Sequence, residues 1–273
     1  MAMLVPGLEL ASKGYTLRRL VIWLAAGIAS ATLTIAVFFP AAWLVPILEK
    51  QTAGRLTLGD ARGTLWRGSA FIGGAAGVND PVTPLLPGRF SWHLSPAVLL
   101  GSVTAELENP AALSQPVSVK GDWHQWQVSP GAIILPAQRL SALGAPLNTV
   151  QPSGQMLLSW QPLLVTLQNG NIGMAGTMKL EMTDMGSRLS SVKPLGSYEL
   201  ILDWRGTQAT ATLTTVKGPM LLAGSGTLAN GRLQFSGTAQ ADAGQEQRLA
   251  NFLNLLGQSR KAGDKIVTAL EFN

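Results

Sequence analysis

Hydrophobic residues are spread along this chain in two different ways. Between Arg19 and Glu49 there is no charged residue, and Leu20, Ile22, Trp23, Leu24, Ile28, Leu33, Ile35, Val37 and Phe38 recur in a nearly unbroken apolar run. A helix needs about 20 such residues to cross a bilayer core, so the run predicts one membrane span over residues 20–48. Pro removes a backbone donor and clashes with the preceding turn; Pro40 and Pro46 are therefore expected to kink or end the helix near its outer face. Beyond Glu49 the pattern changes to short alternating stretches punctuated by Gly and Pro, which predicts strands and tight turns.

Leu56 and Leu58 alternate with Arg55 and Thr57, and Gly59 and Gly63 permit the turns that follow. Asn79-Asp80-Pro81 through Pro87-Gly88 reads as a Pro-rich loop. Phe90, Trp92 and Leu94 share one face of a strand, as do Val103, Ala105 and Leu107; residues 117–123 alternate less cleanly. A short helix is expected near 137–143, bounded by Pro136 and Pro146. Residues 154–160 and 196–204 each predict a strand ending in Trp, and their shared Pro-x-Gly start makes them loose echoes of one hairpin unit. From Arg205 the chain reads as a meander, with turns at Arg205-Gly206-Thr207 and Gly218-Pro219 and a hairpin signal at Asn230-Gly231. Leu249, Phe252, Leu253 and Leu256 then fall on one face of an amphipathic helix that ends at Gly257, and 266–272 alternates as a final strand. That helix face is expected to pack on the sheet or plug its end rather than bind a partner.

Lys13, Arg18 and Arg19 precede the apolar run, with Glu9 the only acid there. Cytoplasmic flanks carry the excess of Lys and Arg, which puts residues 1–19 inside and the β-rich part, 49–273, outside. In a Gram-negative cell that is a periplasmic domain on an inner-membrane anchor. A cleaved secretory signal competes with this reading, because Ala29-Ser30-Ala31 has the small-residue cleavage pattern. The apolar run continues through Phe38 and Phe39, however, where a signal peptide would have turned polar.

The 273 residues include no Cys and only two His. An exported domain without disulfides holds together by packing alone, and thiolate metal sites are excluded. Charged residues make up 13% and hydrophobic ones 47%, with 30 Gly and 16 Pro; this composition fills a core and suits a sheet with many turns. The net charge of +5 is scattered apart from Arg18-Arg19 and Arg260-Lys261, so no nucleic-acid face is expected. It fits a mildly basic solvated surface or proximity to anionic lipid.

Catalytic chemistry is sparse. No Gly-x-Ser-x-Gly elbow occurs. Ser190-Ser191-Val192-Lys193 satisfies Ser-x-x-Lys but sits in a polar stretch beside Pro194, not on an evident helix turn. His93 and His124 lack the further ligands that zinc needs. Gly224-Ser225-Gly226 is not followed by Gly-Lys-Ser/Thr and reads as a strand bulge or a close backbone approach. The tryptophans at 66, 92, 123, 126, 160 and 204 fill a sheet core or line an apolar groove open to lipid or a partner strand.

One order of motifs stands out. After the span come Gly63-Thr64-Leu65-Trp66-Arg67-Gly68, Trp92-His93-Leu94-Ser95-Pro96, Pro194-Leu195-Gly196-Ser197-Tyr198 and Gly218-Pro219-Met220, continuing through Gly224-Ser225-Gly226 and Phe235-Ser236-Gly237. In this order, behind an anchor, they resemble the type II secretion system protein N family (GspN) over nearly the whole chain. The resemblance implies a non-enzymatic, single-span inner-membrane protein of the general secretion pathway, which moves folded periplasmic proteins across the outer membrane. It implies neighbours among the C, F, L and M components of the inner-membrane platform, and no cofactor. A more distant similarity to AsmA-like periplasmic proteins implies a mainly β fold, a curved antiparallel sheet or half-barrel whose groove is associated with membrane lipid.

Overall fold

The computed structural model describes residues 8–272 except 53, 76–81, 145–146, 169–170, 230–231, 258 and 263–264. Asn79-Asp80-Pro81 and the Asn230-Gly231 turn lie outside the described residues, as does the Leu33 side chain. The chain forms two compact units, Met1–Pro40 and Ala41–Asn273.

The first unit is the helix α1 (Leu8–Val37), 30 residues and about 45 Å long at 1.5 Å per residue. Its large apolar side chains are exposed: Leu20, Ile22, Trp23, Leu24, Ile28, Ile35 and Val37, with Phe38 just beyond. Among the described residues no helix is long and apolar enough to cross a membrane; the side chains of 8–17, 33 and 36 are not among them. The structure therefore does not confirm the span expected from the sequence.

The second unit opens with a 3-10 turn, Ala41–Trp43, and the short helix α2 (Leu44–Gln51), so residues 41–48 of the uncharged run belong to this unit. Pro46 falls in the first turn of α2, where its missing N–H leaves no helical bond unmade. The strands follow as β1 (Leu56–Gly63), β2 (Arg67–Gly74), β3 (Thr83–Pro84), β4 (Phe90–Leu94), β5 (Ser102–Glu108), β6 (Val117–Asp122), β7 (Gln125–Val128) and β8 (Gly131–Pro136). A 3-10 helix over Ala137–Leu143, where a short helix was expected, leads to α3 (Leu147–Val150). Then come β9 (Pro152–Trp160), β10 (Leu163–Gln168), β11 (Asn171–Ser187), β12 (Gly196–Gly206), β13 (Gln208–Lys217), β14 (Met220–Ala229), β15 (Arg232–Ala241), the helix α4 (Glu246–Leu256), β16 (Ser259–Ala262) and β17 (Lys265–Phe272).

All the strand pairs are antiparallel. With few exceptions each strand pairs with the next in sequence, making one long meander that ends with β17 between β15 and β16. Two pairs of short strands act as single long ones. Val128 opposes Leu163 and Gly131 opposes Trp160, so the ladder of β7–β8 against β10–β9 resumes in the same register past Pro130 and Pro162, which cannot donate to it. The 17-residue β11 pairs with β10 and β9 along one edge and with β12 along the other. The two Trp-terminated segments that looked like echoes thus flank the same central strand. The sheet is open, because no described strand pairs with the outer edge of β1 or of β16. A closed barrel is excluded among the described residues.

Register puts most of the large apolar side chains on one face. Trp92 opposes Leu107, which opposes Val117; Val119 opposes Val128, and Val128 opposes Leu163. Farther along, Leu158 opposes Leu180, which opposes Leu200 and then Leu213. The opposite face carries Ser69, Ser91, Glu106, Lys179, Glu199, Thr210, Thr212 and Gln234. On it Lys179 bridges Glu199 at 2.7 Å and Glu181 at 2.9 Å, which raises the lysine pKa.

The apolar face is packed in two places. Phe90, Ala112, Leu113 and Val117 form one cluster beneath the β5–β6 connection. Leu249, Phe252 and Leu253 of α4 form the other with Val192, Leu195, Tyr198, Met220 and Ala239. The C-terminal helix therefore lies on the sheet, as its apolar spacing predicts.

Candidate functional site

The motifs picked out in the sequence meet in pairs. Gly63, at φ +83°, turns the β1–β2 hairpin; a Cβ there would lie 2.3 Å from the Arg67 carbonyl oxygen. Thr64 N donates to that oxygen at 2.8 Å, and Arg67 N donates to Thr64 Oγ1 at 3.2 Å. Trp92 locks this turn from the neighbouring strand. Its Nε1 donates to the Leu65 carbonyl at 3.0 Å, and its ring fills the place where a Gly68 side chain would be, 2.3 Å from the Cβ position. Leu94 N donates to Trp66 O at 2.8 Å. Pro96 then opens a 3-10 turn, Pro96–Leu100, capped by Ser95 Oγ.

The next two motifs join in the same manner. Gly218, at φ +127°, rests against Gly196, whose Cα lies 2.3 Å from its Cβ position. Met220 N donates to Leu195 O at 2.9 Å, and the Tyr198 hydroxyl donates to Met220 O at 3.0 Å. Pro219 O accepts from Asp242 N, tying the turn to the start of the α4 region. In the last group the Phe235 ring covers both Gly224 and Gly237, with ring carbons 2.5 and 2.8 Å from their Cβ positions. Gly226, directly opposite Phe235, approaches the Gln234 carbonyl so closely that a Cβ would lie 2.3 Å from its oxygen. This is the close backbone approach expected there.

One relation recurs that sequence reading did not find. Four tryptophans on the sheet sit directly opposite a glycine: Trp92–Gly68, Trp126–Gly121, Trp160–Gly131 and Trp204–Gly176. At Gly68 and Gly131 the ring of the opposing tryptophan fills the place a side chain would take, 2.3 and 2.7 Å from the Cβ positions, whereas a Cβ at Gly121 would meet the Gln125 carbonyl and one at Gly176 the Leu163 side chain. Trp160 Nε1 donates to Ser129 O at 2.8 Å, whereas Trp204 Nε1 is buried without a partner among the described residues. Only a register map shows this pairing, since 24 to 29 residues separate three of the four pairs.

Sites of chemistry are not assembled. Ser190 is 5% exposed, and its Oγ donates to Val192 O while accepting from Val192 N; Lys193 is exposed. The Ser-x-x-Lys match is a buried turn beside a solvated amine. His93 Nε2 accepts from Arg67 Nε at 3.3 Å, and His124 is exposed in the β6–β7 turn. Among the described residues no group of three metal-ligating side chains forms.

Two open grooves lie largely along the polar face. One, of about 720 Å³, is lined by Arg62, Arg67, Ser69, Ser91, His93 and Glu106 among others; the second, of about 480 Å³, is lined by Thr210, Ser225, Thr227, Gln234 and Glu271 among others. Close by, Arg62, with Arg89 beside it, holds the Asp60 carboxyl below its ordinary value, and Arg89 stacks on Phe71 at 4.5 Å.

The two free edges differ. Arg55 O bonds to Ala75 N, so the alternation of an antiparallel ladder points Leu56 outward. There Leu56 N donates to Thr52 Oγ1 at 3.1 Å, and its carbonyl lies 3.2 Å from the same oxygen. A register break between Gly59 and Arg62, with Asp60 at φ +48°, ends the useful edge. Bulges and side-chain caps blunt an edge against further pairing. At β16 no described strand pairs with the outer edge.

No curated protein and no solved structure gives a significant match to this chain. The family model for type II secretion system (T2SS) protein N matches residues 54–267, which takes in every one of the interlocked turns described above. The chain belongs to the type II secretion system protein N family.

Proposed function

We propose that this protein is a non-enzymatic inner-membrane component of the secretion machine, held by residues 20–48 with its N-terminus in the cytoplasm and its sheet in the periplasm. Membership of the family gives it a role in type II secretion. The observation that carries the finer reading is that the family motifs build turns and strand locks and none builds a reactive centre. A protein of this kind works by holding surfaces in place. Platform components of the C, F, L or M type are its expected neighbours. Strand addition at an exposed edge is the physical means, and since Thr52 occupies the β1 edge, β16 is the edge that offers it. In-cell cross-linking from Cys placed in β16 tests this: adducts with a platform component support it, and adducts that form equally from β1 contradict it.

A second reading, a lipid-binding or lipid-transfer module, has one observation in its favour. Between the two packed clusters the apolar face continues through Val103, Trp126, Val165, Met178, Leu202 and Trp204, all only half-buried. Phospholipid co-purifying with the protein, detected by mass spectrometry and lost on Leu202→Asp, would establish it; its absence in both forms would dismiss it.

A further inference from the structure

The uncharged run is longer than a crossing needs. Leu20 to Phe39 alone are 20 residues, about 30 Å of helix, which matches the hydrocarbon thickness of a bilayer. The remainder, residues 41–48, folds with the sheet. Ala41 is fully buried. Helix α2 packs against β1, and Leu44, Val45 and Leu48 on one side of it are half-buried. Its other side is bare. Trp43, whose backbone is already helical, is followed at spacings of three, four and seven by Pro46, Ile47 and Lys50, all exposed. Those spacings line one face of a helix. Trp43 is 58% and Ile47 55% exposed, so this face is apolar along its first turn and basic at its end.

We infer that α2 is a foot that lies in the headgroup region of the bilayer, on the side where the sheet stands; this rests on the span proposed for the residues just before it. The chain itself delivers α2 to that surface, because Ala41 follows the apolar run after a single proline. The charges suit it. Residues 41–56 contain Glu49, Lys50 and Arg55, and Glu49 is held toward the sheet, where it accepts from Thr57 Oγ1 at 2.6 Å. The paired strand ends beside α2, residues 56–59, 71–74 and 83–84, carry no charge. Lys50 and Arg55 are therefore left for lipid phosphate. Trp at this depth and Lys with its stem along apolar surface are the pattern of interfacial binding. Unpaired backbone groups, the main cost of leaving water, are few at the helix exit: Leu48 O and Glu49 O accept from Thr52 N and Gly54 N, and Thr52 O accepts from Arg55 N. The foot is also joined stiffly to the sheet. Leu56 N donates to Thr52 Oγ1, and the Glu49–Thr57 bond lies beside it. Strand β1 thus leaves α2 in a set direction, and the sheet is held at a fixed attitude to the membrane instead of swinging on a linker.

The absence of cysteine makes the test clean. Three full-length variants, Ile47→Cys in α2, Ile28→Cys in α1 and His124→Cys in the β6–β7 turn at the far end of the sheet, are each labelled with a polarity-sensitive dye. They are reconstituted in vesicles of phosphatidylethanolamine and phosphatidylglycerol that carry lipids spin-labelled either at the headgroup or deep in the acyl chain. The Ile47 probe is expected to shift to the blue and to be quenched more strongly by the headgroup label than by the deep one. The Ile28 probe should show the reverse order, and the His124 probe neither shift nor quenching. An Ile47 probe as wet as the His124 control overturns the inference. So does one shielded from water yet untouched by either label, which marks a protein contact, and one quenched best by the deep label, which makes α2 part of the span. In each of these cases a deeply quenched Ile28 probe leaves the span standing. An Ile28 probe that neither label reaches strikes the span itself, and the foot with it.

Discussion

Trp92 reaches across from β4 to lie over Gly68, and its indole N–H donates to the Leu65 carbonyl at 3.0 Å. The first hairpin of the sheet is thereby closed from outside, by a side chain 24 residues farther along the chain. Gly68→Ala puts a methyl group into the ring, an overpacking error that costs about 1–3 kcal/mol. The same change at Gly206, which has no neighbour within 4 Å, meets only the strain of its positive φ. Chemical denaturation of the two variants, with the Trp92 indole N–H resonance in NMR spectra as a local reporter, separates them: only Gly68→Ala is expected to alter the Trp92 environment.

Two tryptophans in equivalent settings allow a paired comparison. Trp160 and Trp204 each oppose a glycine, but only Trp160 has a partner for its N–H among the described residues. Trp160→Phe should therefore cost about 1 kcal/mol more than Trp204→Phe, the net worth of one hydrogen bond. Equal losses in urea melts would show that the indole bond contributes nothing.

Tyr198 joins two of the motifs through Met220 O. Burial raises its hydroxyl pKa above the ordinary value of 10.0. The unfolded chain then releases the proton first, so the stabilisation is complete below pH 10 and declines as the pH climbs toward the folded-state value. Tyr198→Phe leaves the Met220 carbonyl without this donor and lowers stability at neutral pH, by about 1–2 kcal/mol. It should also flatten the alkaline decline, which melting curves between neutral pH and strong alkali would reveal.

The α4 cluster makes a fourth stability test. Leu249 is fully buried, while Leu255 on the other side of the same helix is 59% exposed. Leu249→Ala is expected to cost about 2–5 kcal/mol and Leu255→Ala less than about 0.5 kcal/mol. Similar midpoints for the two variants would mean that α4 is not docked on the sheet in solution.

If no hydrolase operates here, Lys193→Ala leaves secretion unchanged, since the amine is solvated and Ser190 is buried in its own turn. A secretion defect in Lys193→Ala with normal protein level would reopen the catalytic reading.

Much of this architecture was legible because one face of each strand is apolar. The period of two was plain at Leu56 and Leu58, at Phe90, Trp92 and Leu94, and at Tyr198, Leu200, Leu202 and Trp204. The 3.6-residue period was equally plain in α4. No element was expected over β11, although Met178, Leu180 and Met182 alternate; Lys179 and Glu181 on its other face gain their setting only when Glu199 of the neighbouring strand is placed beside them. Helix α2 was hidden inside an apolar run whose composition resembles a span. The motifs themselves were visible, but their partners were not: that Gly218 packs on Gly196, or Phe235 on Gly224, depends on register, which local sequence does not encode.

Co-purification of the full-length protein from membranes, tagged and expressed at its native level, tests the central claim most directly. Recovery with a C, F, L or M component of the type II platform, lost when β16 is replaced by Pro-containing sequence and retained in Lys193→Ala, is the predicted result. A protein that elutes alone from native membranes, without any platform component, would contradict it.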